Sequence, residues 1–184
     1  MEIKPARLDR KAWLACALDT LKNEGVGGVR VERLAKTLGV SKGSFYWHFK
    51  GRDELLQGML GYWEKELSTA IQNEISGALG DARQHLLQLM QTIRARDAAR
   101  YETAIRAWAA FDKGAAAVVR RVDKQRLAFI RTFFQDMGFG GRQAEIRARL
   151  FLYYEVAEPS IYLGTTKKEQ AKLTTLRHKF LTEQ

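Results

Sequence analysis

Between Ser41 and Lys50 the chain reads SKGSFYWHFK, a stretch crowded with hydrogen-bond donors and flat rings. Lys42, Ser44 and Trp47 are the residues suited to touch base edges, while Tyr46, His48 and Lys50 carry groups that reach phosphates. Small side chains at Gly43 and Ser44 leave a low ridge of the kind that enters a major groove. Covalent chemistry has much thinner support. The three histidines, His48, His85 and His178, are far apart, and none neighbours a cysteine or carboxylate at metal-ligand spacing. The chain also lacks a nucleophile motif and a glycine-rich phosphate loop, so the expectation is a binding protein without catalysis, cofactor or metal.

These groups need a scaffold, and the flanking residues supply one. Leu34 to Val40 is a short amphipathic run ending at Gly39, which can take the positive φ that stops a helix. Ser41 is placed to cap the next helix with its hydroxyl. Helix, tight turn and second helix make a helix-turn-helix. Phe45 and Phe49 should turn inward against a first helix that Asp9 caps, with Leu8 and Trp13 at staple spacing. Leu14, Ala17, Leu18 and Leu21 line its inner face to about Asn23. Gly25, Gly27 and Gly28 then break the chain before a second helix from Arg30 to Leu38.

Residues 9–60 resemble the DNA-binding domain of the TetR family of bacterial transcriptional regulators. The resemblance rests on Leu14-Ala17-Leu18-Leu21, Gly25, Leu34-Ala35, Gly39-Val40-Ser41, Gly43 through Lys50, and Leu55-Leu56. It implies a DNA-binding head over residues 1–52 and a helical effector-binding and dimerisation domain over 53–184. Arg30 departs from the family pattern, which usually has a threonine there. Arginine cannot accept a capping bond, but its charge can reach a DNA phosphate.

Composition agrees with a polyanionic partner. The 184 residues carry a net charge of +10, and ten of the Lys and Arg residues against five Asp and Glu fall in positions 1–50. Lys4 and Arg7 would form a basic arm ahead of the first helix. No apolar run approaches the roughly 20 residues that span a bilayer, and the first residues lack a signal-peptide core, so the expected location is cytoplasmic. Cys16 is the one cysteine; it reads as a small buried apolar residue rather than a redox sensor.

Beyond the head the periodicity is helical throughout. Leu55, Leu56, Met59, Leu60, Trp63, Leu67 and Ile71 make one stripe from Arg52 to about residue 75, with Gly58 and Gly61 inside it. These two glycines suit a close crossing by the first helix. Asp81 caps the next helix, lined by Leu86, Leu89, Met90 and Ile93, and 94–100 reads as a solvated connection. Further helices are expected over Tyr101–Asp112, from Gly114 to Met137, and from Ala144 to about Leu163 with a Pro159 kink near Glu155. Thr166 to Glu169 reads as a capping box for the last helix. The fold is all-α, with about nine helices.

One recognition helix reads only a few base pairs, so a homodimer on double-stranded palindromic DNA is expected. The resemblance implies that the last two helices form its interface, here through Leu150, Phe151, Tyr154, Ile161, Leu173, Leu176 and Phe180. It also implies a small apolar or aromatic effector in the second half, for which Trp63, Met90, Tyr101, Trp108, Phe111 and Tyr154 are the available walls. The leading reading is a repressor released by such an effector. The alternative is an architectural or cell-cycle DNA-binding protein on the same fold, controlled by a protein partner. A closed apolar cavity in the second half separates the first from the second.

Overall fold

A computed structural model describes residues 8–161 and 163–183; the basic arm with Lys4 and Arg7 lies outside them. Among these residues the structure is helical and contains no strand. The elements are α1 (Arg10–Glu24), α2 (Val31–Thr37), α3 (Lys42–Tyr46), α4 (Arg52–Glu64), α5 (Ala70–Ser76), α6 (Ala82–Ala95), α7 (Glu102–Ala109), α8 (Lys113–Asp136), α9 (Gly141–Ala157) and α10 (Lys167–Thr182). A π-helical turn, Lys65–Thr69, joins α4 to α5, so the two form one rod. The sequence stripe predicts a plain α-helix here; the wider turn is a departure that shifts the register of the rod midway.

Local chemistry accounts for most ends. The Asp9 carboxylate accepts from Ala12 N at 2.8 Å, and Asp81 and Gln84 exchange side-chain bonds in a full capping box. Gly39 has φ +68°, the left-handed conformation expected at the tight turn. Gly138, at φ +88°, lets Phe139 N donate back to Phe134 O while the two rings meet edge to face.

Several predicted ends are corrected. Ser41 sits at the start of α3 but its hydroxyl makes no capping bond; its carbonyl accepts from Ser44 N instead. Gly114 lies inside α8 because Asp112 caps that helix, and α9 opens at Gly141 rather than Ala144. Pro159 does not kink α9. The helix stops at Ala157, since proline donates no N–H and its ring would clash with the Glu155 carbonyl, and Pro159 enters a 3₁₀ turn, Glu158–Ser160. Ile161 therefore stands beyond the helix. Residues 94–100 are not wholly solvated: Ala98 is buried, and Asp97 adopts φ +47° to turn the chain inward. Thr166 accepts from Glu169 N, one half of the expected box.

Two apolar cores result. The first joins α1 to α4 with Tyr101, Ile105 and Trp108 of α7 and its approach, and with Ala115, Val119 and Val122 of α8. The second packs Ile71 and Ile75 of α5 against α6, the end of α8, α9 and Leu181 of α10. The first core thus runs across residue 52 into the body. Tyr101 ties the two parts by donating to Asp19 Oδ1 at 2.6 Å, and burial with this carboxylate pushes its phenol far up.

Gly58 and Gly61 differ in surroundings. A Cβ on Gly58 would stand 3.0 Å from Leu14 Cδ2, whereas one on Gly61 meets nothing within 4 Å. Gly61→Ala should stabilise the protein by up to about 1 kcal/mol through helix propensity, and Gly58→Ala should gain less or lose. Urea denaturation of both variants checks this, and equal gains would show that the α1 crossing needs no glycine.

Candidate DNA interface and interior cavity

The helix α3 is only five residues long and owes its orientation to aromatic packing rather than to its own hydrogen bonds. The Phe45 ring meets Trp13 edge to face at 5.3 Å and stacks on Phe49 at 5.2 Å; both phenylalanines are buried. That fixes which side of α3 faces outward. Tyr46 is 62% exposed and Trp47 77%, large values for such rings, while Ser44 and His48 are half-buried. Lys42, Lys50 and Arg30 are exposed on the same head.

The cations are partly held. Lys42 Nζ pairs with Glu32 Oε1 at 2.8 Å across the helix-turn-helix, and this contact draws the Glu32 carboxyl below its usual range. Arg30 Nε donates to the Gly27 carbonyl at 3.0 Å, which orients it toward the loop before α2. Lys50 donates its backbone N–H to Glu54 Oε2 at 2.8 Å, leaving its ammonium at the start of the rod. Arg52 fastens that rod to the loop after α1, giving bonds of 2.7 Å to both Val29 O and Val26 O. The start of α4 and the loop after α1 are thus held together at two points.

In the body, the π turn and α5 to α9 line a partly open cavity of about 60 Å³. Its lining is mainly apolar, including Leu67, Ile71, Leu89, Phe129 and Phe151, with a polar side formed by Ser68, Gln72, Glu102, Arg126 and Glu155. Glu102 is 2% exposed and organises this side. Its Oε1 accepts from Arg106 Nη2 at 2.6 Å, Arg106 Nε at 3.0 Å and Arg126 Nη1 at 3.0 Å. Arg106 also forks onto Asp123, and Arg126 Nε donates to Ser68 Oγ in the π turn at 3.0 Å. Glu155 pairs with Arg177 of α10; burial nonetheless pushes its carboxyl above the usual range.

None of the six aromatic and methionine positions picked for a ligand lines this cavity. Trp63, Tyr101 and Trp108 belong to the first core and Met90 to the second. Phe111 is 95% exposed, because α7 ends at Ala109 and the residue lies in the turn before Asp112. Tyr154 is on the outer side of α9 beneath the Arg177 guanidinium, 3.8 Å from its ring centre. The polar wall was missed. Glu102 and Arg106 have helix-pair spacing, but their further partners, Arg126 and Asp123, come from α8, which no local pattern reveals.

The outer faces of α9 and α10 are apolar. Leu150, Tyr154, Leu173, Leu176 and Phe180 share a groove and are exposed, as are Ile146 and Tyr153 of α9. Phe151, grouped with them on sequence, is buried in the second core instead, and Ile161 is exposed past the helix end. Cys16 is half-buried against the first core, where burial raises its thiol. No group of three or more His, Cys, Asp or Glu among the described residues is arranged to hold a metal ion, and no helix there is long and apolar enough to cross a membrane.

Residues 14–59 match the model for bacterial regulatory proteins of the tetR family. The tetracycline repressor protein class C of Escherichia coli is 40% identical over 53 residues, which cover 29% of this chain and 24% of that repressor. The chain thus aligns with about a quarter of that relative's length. A TetR transcriptional regulator from Legionella pneumophila superposes with a TM-score of 0.78 at 10% identity, covering 98% of this chain and 99% of that one. A transcriptional regulator from Saccharomonospora viridis, solved in complex with choline, gives 0.72 at 16% identity over 94% and 92% of the two chains. These two likenesses show a shared fold.

The Lys42–Glu32 contact generates a specific expectation. Glu32→Gln should tighten duplex DNA binding and steepen its salt dependence, since Lys42 is released to a phosphate. Lys50→Ala should weaken all sequences alike and reduce the salt slope by about one. Fluorescence anisotropy across a salt series measures both; an unchanged slope for Lys50→Ala would remove that residue from the interface.

Proposed function

We infer, from a head that belongs to the TetR family of bacterial regulatory proteins, that this chain is a DNA-binding transcriptional regulator acting as a homodimeric repressor. The observation that carries this reading is the outward presentation of Tyr46 and Trp47 on a helix locked from behind by Phe45 and Phe49. In this reading Lys42, Ser44 and Trp47 meet base edges, and Arg30, Tyr46, His48 and Lys50 meet phosphates. Selection of bound duplexes from a random pool at physiological salt tests it. A palindromic consensus with half-sites about 34 Å apart is expected, and a featureless pool would leave only non-specific binding.

Dimerisation is assigned to the groove of Leu150, Tyr154, Leu173, Leu176 and Phe180. A single copy leaves these side chains in water, and a two-fold partner would cover them with the same patch. Phe180→Glu should convert the dimer to monomers in sedimentation velocity and weaken operator binding by about 100-fold, because the second head then loses its effective concentration. Dimers that persist in this variant would place the interface elsewhere.

The cavity supports release by a small effector rather than control by a protein partner. It abuts the π turn of the rod that Arg52 fastens to the head, so an occupant there is placed to bias head orientation. A protein of the same fold holds choline, and a small-molecule site in this one is in keeping with that.

A further inference from the structure

The donor and acceptor groups around the cavity point to the chemistry of its occupant. All three hydrogen bonds to Glu102 land on Oε1, and the one bond to Glu155 also lands on its Oε1. Among the described residues, each of these cavity-lining carboxylates therefore keeps a second oxygen with no donor against it. Arg126 is the only guanidinium in the lining, and it is already engaged by Glu102, by Ser68 Oγ and by the Trp63 ring 5.1 Å away. The lining itself thus holds two carboxylates and one guanidinium, with Arg106 and Arg177 pairing those carboxylates from behind it, inside walls that include the rings of Phe129 and Phe151.

We propose that the cavity takes a compact organic cation, a protonated amine on a small branched or cyclic apolar body, in which N–H donors meet the open oxygens of Glu102 and Glu155. Hydrogen bonds to a charged group in a low-dielectric site are stronger than neutral ones, and the aromatic walls add cation–π attraction. An organic anion would meet two carboxylates in the lining and Arg126 as the one guanidinium there. Burial of Glu155 reinforces the preference, since Arg177 and Arg94 offset it only in part and Glu158 acts in the same direction as burial. Size sets the other limit. A dry cavity of roughly 150 Å³ holds benzene, so the 60 Å³ here admits only a few heavy atoms before a wall moves.

The inference rests on the effector reading of this cavity, and the test separates the two. Isobutylamine, isobutanol and 3-methylbutanoate, three probes with one branched body and different head groups, are titrated into the full chain without DNA and followed by methyl-resolved NMR. The amine should bind about tenfold more tightly than the alcohol, and the carboxylate least. Glu155→Gln should erase most of the amine preference while alcohol binding persists, which also reports an intact fold; Glu102→Gln is the second variant, read the same way. Equal or weaker binding of the amine, an amine preference unchanged in both variants, or no binding of any probe would overturn the proposal. DNA affinity is then measured with each probe. An amine that binds through Glu155 without loosening DNA leaves the proposal standing and removes the effector reading, whereas release of DNA by the carboxylate alone does the reverse.

Discussion

The carboxylate of Glu102 is the interaction on which the body of this protein depends. It lies almost wholly out of water at the start of α7, and an isolated charge there would be untenable. Two guanidiniums make it tenable, Arg106 from the next turn of its own helix and Arg126 from α8. Arg126 then reaches Ser68 in the π turn, and Arg106 reaches Asp123. One buried anion consequently fixes α7, α8 and the middle of the rod relative to one another. Removing a single partner from such a network leaves an uncompensated buried charge, which costs about 3–5 kcal/mol; replacing a methyl in the adjoining apolar wall costs less.

The head follows a different physics. Its stability comes from apolar burial, with Trp13, Leu18, Leu34, Phe45 and Leu55 all fully buried, and its charged contacts are mostly at the surface and worth little individually. Here the polar contacts position more than they stabilise. Arg52 holds the loop after α1 against the rod, and Tyr101 holds α1 itself through Asp19. Head and body thus share one continuous core, with polar ties that include the Arg52 clamp at the rod's start and the Tyr101–Asp19 hydrogen bond at the far side of α1.

This division explains what could be read in the sequence. The head was legible because its determinants are local: Asp9, Gly39 and the alternation of Phe45 and Phe49 with Tyr46 and Trp47 each act within a few residues. The helices of the body were legible from their apolar stripes, and Asp81 from its capping box. The cavity was not. Apolar side chains at helical spacing mark what is buried but not where burial is incomplete, so Trp63, Met90 and Tyr101 are core residues while the lining draws Ser68, Glu102, Arg126 and Glu155 from helices distant in sequence. Phe151 and Tyr154 show the same limit on α9. Three residues apart, one faces the second core and the other lies on the outer side under Arg177.

The π turn is where these two parts meet. A rod meant only to connect would be an unbroken α-helix, and the stripe from Leu55 to Ile71 would allow it. The wide turn instead carries Leu67 and Ser68 into the cavity wall and hands one hydroxyl to Arg126. A π turn inside an α-helix is rare and departs from the spacing of the helix around it. Ser68 accepts from both Arg126 and Gln72, two lining residues, so the π turn of the rod and the polar side of the cavity share one hydroxyl.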